Sequence, residues 1–391
     1  MLLLGCTAQV GTVPLDPPAA EATLLQIRLS PDEDPDDDPW SRDWIPTTIE
    51  VDDWSGQGGI HVRGNSTRDY DKKSYALETW DAAGEDLDVE LAGLPAEEDW
   101  VLQGPYSDKT LLRNHLMYQW SRNIGFYAAR TRLAQLSVHG EARGVYVLME
   151  KLKRDDNRIV IPAGGALLKR DWVEEEPLVT AICEDELLLD WPSDPAGIVD
   201  RLSAVEAELL DGELSRVNLE SFVDYMLLVE LGRNVDAYVL STRVILGADD
   251  TLAMGPIWDF NGALGNADYF RAWETEGWHY DYRHFPEDNP NGFCWYEALL
   301  ETPEFRELRR SRWADHRAGA WSDAALTADI DAAVEALGPA AEANFEVWPV
   351  LGEYVWPNDE GAEERTTYVE EVDYLKHWVL ARAAWIDQEL G

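Results

Sequence analysis

Basic charge is scarce in this 391-residue chain: 32 Lys and Arg stand against 76 Asp and Glu, a net charge of −44. A surface of that sign repels nucleic acid and anionic membranes, so neither is expected as a partner. Lysine is rarer still, at seven residues, which keeps the candidates for a phosphate-binding ammonium few. No apolar run approaches the roughly 20 residues that span a bilayer. The three cysteines, Cys6, Cys183 and Cys294, form no Cys-x-x-Cys pair and no Cys/His cluster, which excludes the common zinc frameworks. Against these shortages stand 18 Trp and a hydrophobic content of 45%, which argue for a packed core. The length suits one large domain or two intimate lobes.

The acidity by itself reads as a solubility adaptation, as to high salt; affinity for a divalent cation needs a defined site. It is also uneven. Residues 61–170 hold 16 basic and 16 acidic residues, and the remaining 281 hold 16 and 60. A very acidic protein that binds a polyphosphate needs such a neutralised region.

The chain begins Met-Leu-Leu-Leu-Gly-Cys. Leu-Leu-Gly-Cys resembles the lipobox of bacterial lipoproteins, in which the cysteine is acylated, although the basic region and longer apolar run of a full signal are missing. Residues 1–22 are therefore expected to be a signal remnant and tether, with any membrane contact made through a lipid on Cys6. That places the protein outside the cytoplasm, as a lipoprotein or cell-surface protein. Cys183 and Cys294 are then left to form one disulfide or to stay as two buried thiols. The acidic run 31–38 reads as a solvated loop.

Strand-like segments recur at 23–30, 47–51, 58–64, 74–79, 132–140, 144–150 and 165–172, separated by turn residues. One helix sits among them, capped by Ser107 or Asp108 and running to about Ile124, with Leu112, Leu116 and Trp120 facing the core. Helices are expected at 196–211 and 218–233, then a short hairpin, then helix from 302 onward with a break near 349–357. A sheet-rich first half and a helical second half read as α+β.

Three patches carry chemistry. Arg63-Gly64-Asn65-Ser66-Thr67, followed by Lys72 and Lys73, can offer backbone N–H groups and ammonium charge to phosphates, or is simply a polar hairpin turn. Lys109 and Arg113, four apart, fall on one face near a helix N-terminus, where positive charge calls for a negative partner: Asp108, Glu150 or a bound phosphate. Asn234-Val235-Asp236 and Trp258-Asp259-Phe260-Asn261-Gly262 bring two carboxylates and amide oxygens that can hold Mg²⁺ or Mn²⁺, or form a capped turn. Phosphoryl transfer needs such a metal site, with a carboxylate to take the hydroxyl proton.

With those patches in view, the chain resembles the CotH kinase family, named for a bacterial spore-coat protein. The resemblance is carried by VRGNSTRDYDKKSYALE (62–78), WVLQGPYSDKTLLRNHLMYQW (100–120), GVYVLMEKLKRDDNRI (144–159), SFVDYMLLVELGRNVDAY (221–238) and GPIWDFNGALGN (255–266), in the family's order, and spans about residues 23–390. It implies an atypical protein-kinase-like bilobal fold over residues 23–391, with an antiparallel sheet-rich N-terminal part and a helical C-terminal part. It implies ATP, Mg²⁺ or Mn²⁺, and phosphorylation of Ser or Thr on a protein substrate. Asp259 matches the metal-binding aspartate and Asp236 the catalytic base. Tyr146 falls where an aromatic packs on adenine, and Glu150 where a carboxylate orients a phosphate-binding lysine. Lys169 and Lys151, which flank paired strands, are favoured for that lysine over Lys72, Lys73, Lys109 and Lys153. The family commonly reads Asp-Phe-Asp, and Asn261 departs from it, with one charge less for the metal. Two other readings stay open: a non-catalytic adhesin or coat protein on the same fold, and a different nucleotide-dependent transfer such as attachment of AMP.

Overall fold

The first half of the chain closes on itself. In the computed structural model, which describes residues 23–172, 176–281 and 293–391, the chain runs through β1 (Leu25–Pro31), β2 (Ile45–Val51), β3 (Trp54–Arg63) and β4 (Ser74–Trp80). A small hairpin follows, β5 (Val89–Leu91) and β6 (Leu94–Glu97), then β7 (Asp99–Gln103), α1 (Arg113–Asn123), β8 (Thr131–Val138) and β9 (Glu141–Glu150). Strands β1-β2-β3-β4-β7-β9-β8 form a closed barrel. Each pairing is antiparallel except the last, where β1 runs parallel to β8 with Ile27 opposite Leu136. The alternation of β1 puts Leu25, Ile27 and Leu29 inside and polar residues outside. Gly58 on β3 lets the sheet curve: a Cβ there would collide with the Glu78 carbonyl and the Ile49 side chain.

A second, five-stranded sheet follows: β10 (Ala166–Arg170), β11 (Leu178–Val179), β12 (Glu186–Trp191), β13 (Thr242–Leu246) and β14 (Leu252–Met254), in the order β11-β12-β10-β13-β14. Between β12 and β13 lie α2 (Ile198–Leu210) and α3 (Leu219–Gly232). The chain ends in α4 (Cys294–Glu301), α5 (Pro303–Arg317), α6 (Asp323–Leu337), α7 (Pro339–Val347) and α8 (Tyr368–Leu390). No helix of the described residues is long and apolar enough to cross a membrane.

The α+β expectation therefore holds, and the bilobal one is corrected. The sheet-rich N-terminal part is a closed barrel rather than a clear kinase-like lobe, because pairing β1 to β8 removes both edges. Two cores result. Tyr146 and Leu148 of β9 point into the barrel, while Val145, Val147 and Met149 point out into the larger core shared with the helices and the second sheet. The tether expected at residues 1–22, with Cys6, lies outside the described residues.

Helix α1 starts later than its sequence suggests. Asp108 accepts from the Thr110 and Arg113 backbone N–H groups, so residues 109–112 form a turn and the helix opens at Arg113. Lys109 is consequently not on a helix face with Arg113. The acidic run is only partly solvated: Asp36 accepts from the Tyr75 hydroxyl and, with Asp34, pairs with Arg143. Cys183 and Cys294 form a disulfide that ties the turn before β12 to the start of α4.

Candidate active site

The two aspartate turns are built at the ends of α3 and β14. Arg233 ends α3 in a left-handed conformation and reverses the chain into Asn234-Val235-Asp236, where the Leu240 N–H donates to the Asp236 carbonyl at 2.8 Å. Asp259 also sits at positive φ, +60°, which costs a non-glycine residue energy unless neighbours enforce it. They do: the Asp259 N–H donates to the Tyr118 hydroxyl at 3.0 Å and the Phe260 N–H to Asn114 at 2.6 Å. The Asn234 side chain then donates to the Asp259 carbonyl at 3.0 Å, locking the two turns together. Phe260 is buried beneath, against Gly232. Tyr118→Phe is expected to cost about 1 kcal/mol of stability and about tenfold in turnover, since it removes the acceptor that holds Asp259 in place. Thermal melts beside rate measurements test this; a variant like wild type in both would remove Tyr118 from the site.

Asp236 and Asp259 reach into a cavity of about 800 Å³ between the barrel end and the second sheet. Burial, then Asp259, then Asp171 push the Asp236 carboxyl up to about 7. Burial pushes Asp259 up to about 6, against the pull of Arg63 and with a further push from Asp171. Three carboxylates sharing one recess repel one another, and a cation of hard character, bound through oxygen, relieves that. Asn261 lines the same wall and offers an amide oxygen. The donors are thus all oxygen, the ligand type a hard divalent cation takes.

Farther along the cavity the chemistry changes. Lys151 reaches in and pairs with Asp99 at 2.9 Å, Lys169 with Asp190 at 3.0 Å, and the Arg63 guanidinium lies 5.5 Å from the centre of the Trp258 ring. Met149, Leu152, Leu167, Leu189 and Trp191 make an apolar strip beside these cations. The cavity therefore has a cationic wall and an apolar wall side by side.

The remaining candidates, apart from Lys153, lie outside the cavity. Lys72 is buried, its ammonium pushed well below its ordinary value by desolvation, and donates to Asn344 of α7 at 2.7 Å. Lys73 donates to the Arg68 and Tyr70 carbonyls and braces the loop after β3. Lys109 donates to the Glu353 carbonyl, and Arg113 pairs with Asp108 at 2.6 Å, so neither awaits a phosphate. Tyr146 stacks on Tyr75 inside the barrel and does not line the cavity. Glu150 pairs with Arg130 at 2.6 Å and orients no lysine. Lys153 sits within the acidic trio Glu97, Glu98 and Asp99, at 2.5, 2.5 and 2.8 Å, so its ammonium already fills the place of a cation there.

Two groups escaped the sequence reading. Asp171 had a signal: the period-two alternation that turns Leu167 and Lys169 toward the cavity turns Asp171 there too. Asn114 and Tyr118 are four apart on α1, a polar face opposite its apolar one.

The sequence pattern of the family described as CotH kinase protein matches residues 60–386, most of the chain. The chain belongs to the CotH kinase protein family. No curated protein matches it significantly. The CotH match runs from within β3 to within α8, so both aspartate turns, the cationic wall and the apolar strip fall inside it. Strands β1 and β2 precede the matched CotH stretch and still complete the barrel.

Proposed function

We propose that the protein is an ATP- and divalent-metal-dependent kinase that phosphorylates Ser or Thr on another protein. One observation carries the reading: two carboxylates with raised proton affinity, locked together through Asn234, face a single cavity whose far side is cationic and apolar. Asp259 and Asn261 would hold the metal, which when bound supplies positive charge to the transferring phosphoryl group. Lys169, Lys151 and Arg63 would pair with phosphate oxygens, exchanging their present carboxylate or ring partners for them. The apolar strip would take the base. Asp236 would accept the proton of the acceptor hydroxyl as its oxygen bonds to phosphorus; with its affinity raised to about 7, it is a fitting base near neutral pH.

The disulfide supports an oxidising, extracytoplasmic compartment, and the charge of −44 disfavours nucleic acid as partner. A second reading, a surface or coat protein without transfer, draws support from Asn261 alone, which leaves the metal site one charge short of the family's usual turn. Transfer of γ-labelled phosphate to a protein mixture from the native source separates the two. Incorporation by wild type that disappears in a folded Asp259→Ala variant is expected; equal labelling by both would overturn the kinase reading.

A further inference from the structure

Beyond the paired carboxylates the cavity opens into a second chamber of about 320 Å³ with walls of another kind. It shares Asp236, Asp259, Asn261, Trp172 and the loop after β3 with the first, but among the described residues no Lys or Arg lines it. His279, at its wall, is neutral, because burial pushes the ring down to about 3. Aromatic rings stand where the first chamber has cations. Tyr269 lies parallel to Trp356 with centroids 6.3 Å apart and meets Phe270 edge-on at 5.1 Å. The Tyr70 hydroxyl donates to the Trp356 carbonyl at 2.7 Å, which ties the loop after β3 to the segment ahead of α8. The Asp268 N–H donates to the Pro357 carbonyl at 2.9 Å, so the wall stands before any ligand arrives.

Two of these rings are not buried: Trp172 and Trp356 are 53% and 50% exposed at the mouth. Large rings kept half in water at the rim of an apolar cavity are surface that a ligand covers. The charge pattern says which ligand. An anion belongs in the first chamber, where Lys151, Lys169 and Arg63 face it. The second ends on two carboxylates and, among the described residues, no cation lines it, so it repels an anion and admits a neutral or positive group with apolar surface. It is also far roomier than a serine or threonine side chain needs.

We propose that the second chamber is the acceptor subsite and selects a protein segment that carries an aromatic side chain beside the hydroxyl to be phosphorylated. This rests on the kinase reading above. The hydroxyl meets Asp236 at the junction of the chambers, opposite the nucleotide, while the neighbouring ring packs among Trp356, Tyr269 and Trp172. Loss of one such ring-on-ring contact, with the area it buries, is expected to cost about tenfold in affinity.

The probe is a set of synthetic peptides, each with one serine and with Phe, Ala or Glu at each flanking position. Calorimetry reads their binding to the full chain, as wild type, Trp356→Ala and Trp172→Ala, and phosphate transfer to the same peptides is read separately. Wild type should bind the best Phe peptide about tenfold more tightly than its Ala counterpart. Both variants should lose most of that preference, and Trp356→Ala, whose ring lines the second chamber alone, should keep the ATP-dependent thermal shift of wild type. Equal binding of Phe and Ala peptides, or a preference untouched in both variants, overturns the proposal. Aromatic-selective binding without transfer keeps the subsite and sinks the kinase; transfer without aromatic preference does the reverse.

Discussion

Asp236→Asn is expected to lower phosphate transfer by about 10³-fold, the usual scale for loss of a general base, and to make the metal-free protein more stable at pH 8. Both effects have one cause. An unfolded aspartate ionises near 3.8, and burial with two acidic neighbours raises Asp236 to about 7 in the fold. Between those values the folded chain binds more protons than the unfolded one, so stability falls as pH rises through that window. Above pH 7 the full penalty of a buried, repelled charge is present; below about 4 it is gone. The neutral amide removes it, by about 2 kcal/mol at pH 8 given that water still reaches the cavity, and by nothing at pH 4. Urea denaturation of both proteins at the two pH values checks the sign. A variant less stable than wild type at pH 8 would mean that Asp236 is already neutralised by a partner. A stability gain combined with lost turnover is the mark of a group kept for chemistry.

Opening the disulfide is expected to cost about 4 kcal/mol, because Cys183 and Cys294 are 111 residues apart and the bond removes much of the unfolded chain's freedom. The loss should reach the larger cavity. The bond anchors the turn ahead of β12, and Leu188, Leu189 and Trp191 of that strand line the cavity. Nearby, Asp185 is fully buried and holds Arg170 of β10 through both carboxylate oxygens, so loosening this turn also exposes a buried ion pair. Urea midpoints of wild type with and without reductant, beside a Cys183→Ala/Cys294→Ala double variant, measure the effect. Coincident midpoints would show that the turn is held by its packing alone.

The strands were legible because their alternation is strong, and the two aspartate turns because their polar residues interrupt apolar runs. Closure of the barrel was not legible: β1 and β8 are more than a hundred residues apart, and nothing local in either announces a parallel partner. The residues of β9 were misplaced for one reason, strand phase. On β9, Tyr146, Leu148 and Glu150 share one face, and Met149, followed by Lys151, the other. Only the second set reaches the cavity, so a reading that took Tyr146, Glu150 and Lys151 together mixed two faces. Lys72 and Lys73 show the same limit in a loop. Their charge is visible in sequence, but that Asn344, 272 residues away, receives Lys72 is not.

The most direct test of the account is a thermal-shift titration with ATP and Mg²⁺ or Mn²⁺, wild type beside Asp259→Ala. A ligand that binds only the folded state stabilises it by about 2.7 kcal/mol at a hundredfold excess over Kd. The account predicts a shift in wild type that needs both nucleotide and metal and is lost in Asp259→Ala, whose own melt stays cooperative. No shift with either metal, or the same shift in both proteins, would contradict it.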